Sequence, residues 1–479
     1  MATASLPGRN DMASSWDESF DVVVVGSGFA GLAAAIEALS RDRSCSVAIV
    51  EKMPTVGGNS LLSAGQYAAW RSKLNLHEKL GLPKDDPETF AQDILAGGEY
   101  LGQPHLVRKL AYESAECLDW LIDMGVEWQE LLVKAGGHSR HRTHQTIRTS
   151  GRDIVEPMVA RVRELGASLL LRHKVVNIVR EGVLSGRVVG VEVEVEGGTL
   201  RRLKARRGVV LASGGFSNDV EFRRMHVPYL GEEFKSTNHA GATAEVLRSA
   251  MKIGAAAVHL DHIQLYPFAE PNTGALDGPA VIPFTLAAFS IYVDKRGRRF
   301  INELARRKDV ALAQILKVRE KPTFTIFDDQ NWPFFIARDI IERGLASGRI
   351  IKADSIEDLA AKAGIDPRGL RDTVDRYNEY LKMGRDLEFN KSFDPRAKPI
   401  EKPPFYAIAQ WPAVHYTMGG LLINAEAQVL DVDGRPIPGL FAAGEVTGGI
   451  HGADRLGSVS IPECIVFGRT AGRNVVRAH

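Results

Sequence analysis

At 479 residues the chain exceeds what one ordinary hydrophobic core holds, so two domains, or one domain with a large insertion, are expected. Apolar and charged fractions of 44% and 25% are those of a folded globular protein and exclude a disordered or fibrous chain. Sixty Lys+Arg against 59 Asp+Glu leave a net charge of +1, with no electrostatic footprint for nucleic acid or an anionic membrane.

The first ~18 residues are polar and Ala/Ser-rich, with Arg9 but no apolar signal core, and read as a loose tail rather than an export signal. Residues 22–39 are the most apolar window. Three glycines and Ser27 interrupt it, and Asp21 and Glu37 flank it closely, so it reads as a buried strand and a helix rather than a membrane span. Cys45, Cys117 and Cys464 lie far apart and form no CxxC pair. This argues against a redox disulfide or a thiolate metal site and fits a reducing, cytoplasmic setting.

The strand Asp21–Val25 runs into Gly26-x-Gly28-x-x-Gly31 and then the Ala-rich helix 32–39. Gly26 permits the tight turn, Gly28 admits a pyrophosphate close to the backbone, and Gly31 lets the helix pack on the strand. The helix N-terminus offers free N–H groups and a positive dipole end to the phosphates. A second strand, Ser46–Val50, is followed by Glu51, 20 residues past Gly31, where a carboxylate accepts from ribose hydroxyls. Together these predict a dinucleotide site in a Rossmann-like α/β domain.

Lys52-Met-Pro-Thr-Val-Gly57-Gly58-Asn59-Ser60 and Ala64-Gly65 follow directly. This stretch resembles the FAD-binding N-terminus of the fumarate reductase/succinate dehydrogenase flavoproteins, most closely the soluble fumarate reductases. Members that attach FAD covalently carry a histidine here; residues 57–66 contain none, so FAD is expected to bind non-covalently. The resemblance implies FAD contacts at Ser27, Lys52, Gly58, Asn59, Ser60 and Gly65, beside those of the three fingerprint glycines and Glu51. It implies others at Val176, at Ser213 and Gly214 within Gly208–Phe216, and at Glu445 on the ribityl chain. It also implies contacts at Ser460 and Ile461, where the S-x-x-E form of Ser460–Glu463 predicts a capping box at a helix aimed at the flavin. The fold expected from the resemblance is an FAD domain at 17–260 and 416–479, interrupted by an α+β capping domain at 261–415.

Along the chain, 104–125 and 353–382 read as amphipathic helices. Alternating Val189, Val191, Val193 and Val195 mark half-exposed antiparallel strands between 172 and 206. His138, His141 and His144 recur every three residues, but with no ordered carboxylate after them they are not expected to hold a metal.

Four segments carry the expected catalytic residues by resemblance. Arg298–Asp309 is similar to the family's RFxNE…R-D stretch, and Arg307 matches the arginine assigned as proton donor. Val414–Gly420 resembles H-x-T-M-G-G, with His415 on a substrate carboxylate. His451–Gly457 resembles HGANRLGG, with Arg455 as a bidentate carboxylate clamp; Asp454 and Val459 depart from that pattern. In Gln264-Leu-Tyr266-Pro-Phe268, tyrosine replaces the fumarate-binding histidine and resembles urocanate reductases. By the same resemblance the T-E-x-x-R stretch is replaced, with Ile282, Pro283 and Leu286 in its place, so fumarate and succinate are expected to be poor substrates. Tyr266 becomes an alternative acid/base if Arg307 lowers its pKa.

The resemblance therefore implies an FAD oxidoreductase acting on a CH–CH or C=C bond beside a carboxylate or carbonyl. The sequence leans toward desaturation of a keto acid or cyclic ketone, with oxygen, a quinone or a redox protein as external electron partner. Reduction of a urocanate- or aryl-acrylate-type alkene is the alternative. A flavin-binding module without catalysis is disfavoured because Arg307, His415 and Arg455 are all present.

Overall fold

A computed structural model describes residues 15–331 and 338–477. Positions 1–14, Arg9 among them, carry most of the tail reading and lie outside the described residues.

Four consecutive valines, all buried, make the central strand β1 (Glu18–Val25). Gly26 follows with φ of 104°, a conformation open to glycine, and the chain enters α1 (Phe29–Arg41). A Cβ at Gly31 would lie 2.0 Å from the Gly26 carbonyl oxygen, so glycine is what seats the helix on the turn. β2 (Val47–Glu51) pairs parallel with β1, and Glu51 is its last residue.

The expected first amphipathic helix is α2 (Pro104–Asp123), which buries Leu106, Leu110, Cys117 and Leu121 along one face. β3 (Ser168–Leu171) extends the parallel sheet beyond β2. The valine alternation gives a ribbon: β4 (Lys174–Gly182), β5 (Ser185–Glu194) and β6 (Leu200–Leu211) pair antiparallel, and β6 continues to pair parallel with β1.

A second layer starts with β7 (Ile263–Ala269), the one-turn helix α3 (Ile282–Thr285), β8 (Ile291–Val293) and α4 (Arg307–Ala313). β9 (Thr323–Asp328) and β10 (Ile350–Ala353) follow, then α5 (Ile356–Ala363) and α6 (Pro367–Met383). The helix expected over 353–382 is thus split, because Gly364 at φ 71° ends α5 and Pro367 opens α6. The long β11 (Phe405–Thr417) pairs with β9 and β10 through its first half and with β7 through its second. Among the described residues this sheet runs β7-β11-β9-β8, antiparallel throughout.

The chain returns through β12 (Gln428–Leu430) and β13 (Pro436–Ala442), which lies parallel to β6, and ends in α7 (Ser460–Val475) against α1. The first sheet therefore reads β12-β13-β6-β1-β2-β3, with its topological switch at the carboxyl end of β1, where open α/β sheets bind ligands. One core joins β1, α1, Phe441 and Phe467; another joins Ile291, Phe324, Leu370 and Phe405 in the second layer.

The capping box at 460–463 does not form. Val459 is the N-cap of α7, Ser460 is already helical, and no side chain caps the first turn. Glu463 turns inward instead and accepts a 3.1 Å bond from the Tyr416 hydroxyl, with His451 Nε2 3.8 Å away. The phenol donor satisfies the buried Glu463 carboxylate in place of a cap N–H.

Candidate active site and cofactor cleft

A cleft with an empty volume of about 870 Å³, counted out to its mouth, opens at the switch point. It is lined by Gly26, Ser27, Gly28, Glu51 and Lys52, then by Gly58, Asn59 and Ser60, and finally by Ser213, Gly214 and Glu445. Four separate stretches of sequence thus meet as the resemblance implies.

An FAD fits the donors on show. Gly28 is the N-cap of α1 and leaves the helix without a side-chain cap; only the Phe29 N–H is visibly taken, by Ser60 Oγ at 2.9 Å. The remaining first-turn N–H groups have no intrahelical acceptor and form a positive end against the cleft. Glu51 accepts from the Ser27 N–H and hydroxyl on one oxygen and from the Met53 N–H on the other. A carboxylate has about four acceptor sites, so one remains for a hydroxyl. A Cβ at Gly28 would close to 3.1 Å on Ser60 Oγ, so the turn is open to a ligand only without a side chain.

Five of the anticipated contacts lie elsewhere. Gly31 and Gly65 are packing glycines: a Cβ on Gly65 would strike Thr146 Oγ1 at 2.3 Å. Val176 falls outside the lining, which takes His173, Lys174 and Val175 instead, one register position earlier on β4. Ser460 and Ile461 are also outside it, whereas Cys464, a turn further along α7, is inside. No sequence signal marked His239, Thr243 and Glu245, which line the cleft from a loop and the start of the helix that follows it; Lys52 donates to Thr243 Oγ1 at 2.6 Å and pairs with Glu245 at 3.3 Å. Burial pushes the Glu445 carboxyl up to about 7, against the hydrogen bonds it accepts from Thr417.

The catalytic candidates meet where the two sheets adjoin. Tyr266 on β7 lies opposite Ala413 on β11, which sets its ring 5.3 Å from that of His415. His415 Nδ1 is 2.7 Å from Thr237 Oγ1, which leaves Nε2 as its other polar atom. Burial, and then the charges of Arg455 and Arg307, hold its pKa well below 6.5, so the imidazole is neutral at pH 7. Arg307, the first residue of α4, puts its guanidinium carbon 6.0 Å from the Tyr266 ring centroid and 5.7 Å from that of Phe284. Among the described residues it has no hydrogen-bond or ion-pair partner. Burial, assisted by Arg455, brings its pKa down to about 10.

Arg455 is held from several sides. Nη1 donates to the Leu456 carbonyl at 2.9 Å, Nη2 to Gln264 Oε1 at 3.0 Å, and the group lies 4.6 Å over the Tyr416 ring. Its Nε is buried with no partner, an orphan donor that implies a ligand acceptor. Gln264 also donates to the Arg455 carbonyl at 2.8 Å and to the Asp454 carboxylate. This accounts for Asp454, and Gln264 is a site residue that sequence reading quoted without assigning.

Three expectations are corrected. The Tyr266 pKa is raised by burial, an effect larger than the lowering by Arg307, and its hydroxyl donates to the Ala280 carbonyl at 3.0 Å. A phenol in that state is a poor proton carrier. Ile282 and Leu286 do not face the site; both are fully buried in a cluster with Phe327 and Ile408, and the side chain that α3 presents to Arg307 is Phe284. The Arg298–Asp309 motif divides in two. Arg299 and Glu303 form a buried ion cluster with Asp386 and Lys391, and only Arg307 reaches the site. The three regularly spaced histidines take separate partners: His138 Nε2 meets the Gly457 carbonyl, His144 meets Ser72 and Arg142, and the His141 carbonyl meets His77.

A family model described as FAD binding domain matches residues 21–461. The acrylate reductase flavoprotein subunit of Shewanella woodyi is 37% identical over 493 aligned positions, covering 100% of this chain and 95% of that protein. The urocanate reductase of Eggerthella lenta is also 37% identical, over 95% of this chain and 74% of its own length. Among solved structures, the open conformation of a flavocytochrome c3 fumarate reductase superposes with a TM-score of 0.83 at 33% identity, covering 97% of this chain and 79% of that one.

Proposed function

The chain belongs to the FAD-binding-domain family and is an FAD-dependent oxidoreductase acting on CH–CH bonds, and from that premise we propose that it reduces the C=C bond of an α,β-unsaturated monocarboxylic acid. The observation that carries this reading is the asymmetry of the pocket. One end holds Arg455, with its orphan Nε, and His415. At the other, the groups gathered round Arg307 are the rings of Tyr266 and Phe284, with Phe268 packed against both, and none of them carries a charge to meet a second carboxylate. Relatives named for acrylate and urocanate reduction support the reductive direction over the desaturation that the sequence favoured.

Bound FAD supplies the hydride for such a reduction. Arg455 grips the substrate carboxylate with a planar donor set already fixed by Gln264 and Leu456. His415, neutral and anchored on Thr237, donates to the same group. Both bonds strengthen as negative charge moves onto the oxygens, which is where preorganised donors lower a barrier. Arg307 holds the proton for the α-carbon. A pKa near 10 keeps it charged at pH 7 while reducing the cost of releasing that proton.

Three further parts belong to this proposal. FAD is held non-covalently, electrons come from an external carrier, and the cap spans 261–415. No helix among the described residues is long and apolar enough to cross a membrane. A cytoplasmic setting rests on the three unpaired thiols.

The test is to reduce the holoenzyme chemically under anaerobic conditions and mix it with acrylate, cinnamate or fumarate. Return of the oxidised flavin spectrum with the first two, and little with fumarate, is the expected result. Bleaching of oxidised enzyme by a saturated keto acid or cyclic ketone, with no response to enoates, would reverse the assignment. Phe284→Ala is expected to raise the cinnamate-to-acrylate ratio of kcat/KM by about tenfold or more, as removal of a pocket wall does. An unchanged ratio would show that Phe284 does not size the pocket.

A further inference from the structure

We infer that His138 is a positioning residue for Arg455: it fixes the loop that carries the carboxylate clamp onto a buried charged strut in the first layer. This rests on the clamp role given to Arg455 above.

The geometry fixes what each ring nitrogen does. Arg142 Nη1 lies 3.1 Å from His138 Nδ1, and because arginine only donates, Nδ1 is the acceptor. Nε2 therefore carries the hydrogen and donates to the Gly457 carbonyl at 2.8 Å, two residues past Arg455. The strut behind the imidazole is rigid. Arg142 is fully buried, bidentate to Asp85 at 2.7 and 3.0 Å, bonded to Asp93, and lies 4.7 Å over the Phe90 ring. None of its residues lines the cofactor cleft, so cofactor binding does not explain why a guanidinium is buried here.

A second observation points to the same loop. A Cβ on Gly97 or on Gly137 would stand 2.4 or 2.6 Å from Leu456 Cδ2. Leu456 is thus seated between two glycines, one of them beside His138. The Ala68 N–H donates to the Ser458 carbonyl at 2.9 Å and closes the far side. Gln264 holds Arg455 from the cap; His138, Gly97 and Gly137 hold its neighbours from the other layer. Arg455 is therefore located by both layers at once, and its bidentate geometry depends on both.

The two ring nitrogens can be replaced separately. In His138→Gln the amide nitrogen reaches about as far as Nε2 and can still donate to Gly457. In His138→Asn the amide oxygen can still accept from Arg142, but nothing reaches Gly457. Holoenzymes of both variants, with matched FAD content, would be compared with wild type for amide hydrogen exchange over 454–458 and for acrylate kinetics. H138N is expected to exchange faster in that segment and to raise KM about tenfold, the loss of one buried hydrogen bond, with a smaller change in kcat. H138Q is expected to stay within about threefold of wild type on both readouts, consistent with the modest net worth of one such bond. Unchanged exchange in H138N, or equal losses in H138N and H138Q, would overturn the proposal. Faster exchange in H138N only, in an enzyme that turns over no enoate, would uphold the positioning role and retire the enoate reading instead.

Discussion

Arg307→Ala is expected to lower kcat for the preferred enoate by about a thousandfold, within the 10²–10⁴ range for loss of a positioned acid, with FAD content unchanged. Arg307 stands outside the cofactor cleft lining and outside the buried ion clusters, so its removal leaves the fold's own polar groups paired. Arginine is ordinarily too weak an acid for this work. Here burial and the neighbouring charge of Arg455 bring it down to about 10. The acid must be protonated to act, so the reductive rate should be level through neutral pH and fall as pH rises through about 10. In Arg307→Lys the same burial acts on a group that starts near 10.4, so the break should move to lower pH. Tyr266→Phe serves as the contrast, since that hydroxyl is buried and committed to the Ala280 carbonyl; turnover should stay within a few-fold of wild type. Pre-steady-state flavin reoxidation across pH reads all of these. An Arg307→Ala enzyme within about tenfold of wild type would remove Arg307 from proton delivery.

Arg299→Leu should be the most destabilising of the second-layer substitutions, by about 3–5 kcal/mol. Arg299 is bidentate to Glu303 at 2.9 and 2.8 Å and bonds Asp386 at 3.1 and 2.9 Å. Lys391 Nζ lies 3.4 Å from Glu303 and donates to the Ser290 carbonyl at 2.7 Å. Two buried cations face two buried anions, with the half-exposed Glu388 3.6 Å from Arg299 at the edge, so deleting Arg299 leaves buried negative charge that Lys391 alone does not balance. The effect should appear as a fall in thermal midpoint and as early proteolysis within the second layer, while Glu51 and the cleft glycines, which belong to the first layer, keep FAD bound. Equal thermal midpoints for wild type and Arg299→Leu would mean that the cluster contributes no net stability. The result matters for function because α4, with Arg307 at its start, begins four residues after Glu303.

The amino-acid sequence by itself determined the features that are local in the chain. The valine run, the Gly26-x-Gly28-x-x-Gly31 turn and Glu51 at the end of β2 form a contiguous unit, whose backbone conformations follow from glycine and β-branched residues over some thirty positions. The same holds for the alternating ribbon of β4, β5 and β6 and for α2. Arg307, His415 and Arg455 were legible through motifs, although what each touches was not. Only the tertiary structure decided the rest, because it depends on groups far apart in sequence or on one step of register. Gln264 meets Arg455 across 191 positions, and His138 meets Gly457 across 319. Glu463 left its capping box for a phenol 47 residues away. Within the single turn of α3, Phe284 rather than Ile282 or Leu286 faces Arg307, and no aligned motif fixes the phase of so short a helix. The proton chemistry was least legible of all. Tyr266 and Arg307 are pushed in opposite directions on the pH scale by the same burial, because burial favours whichever form is neutral, and burial exists only once both layers have closed on the site.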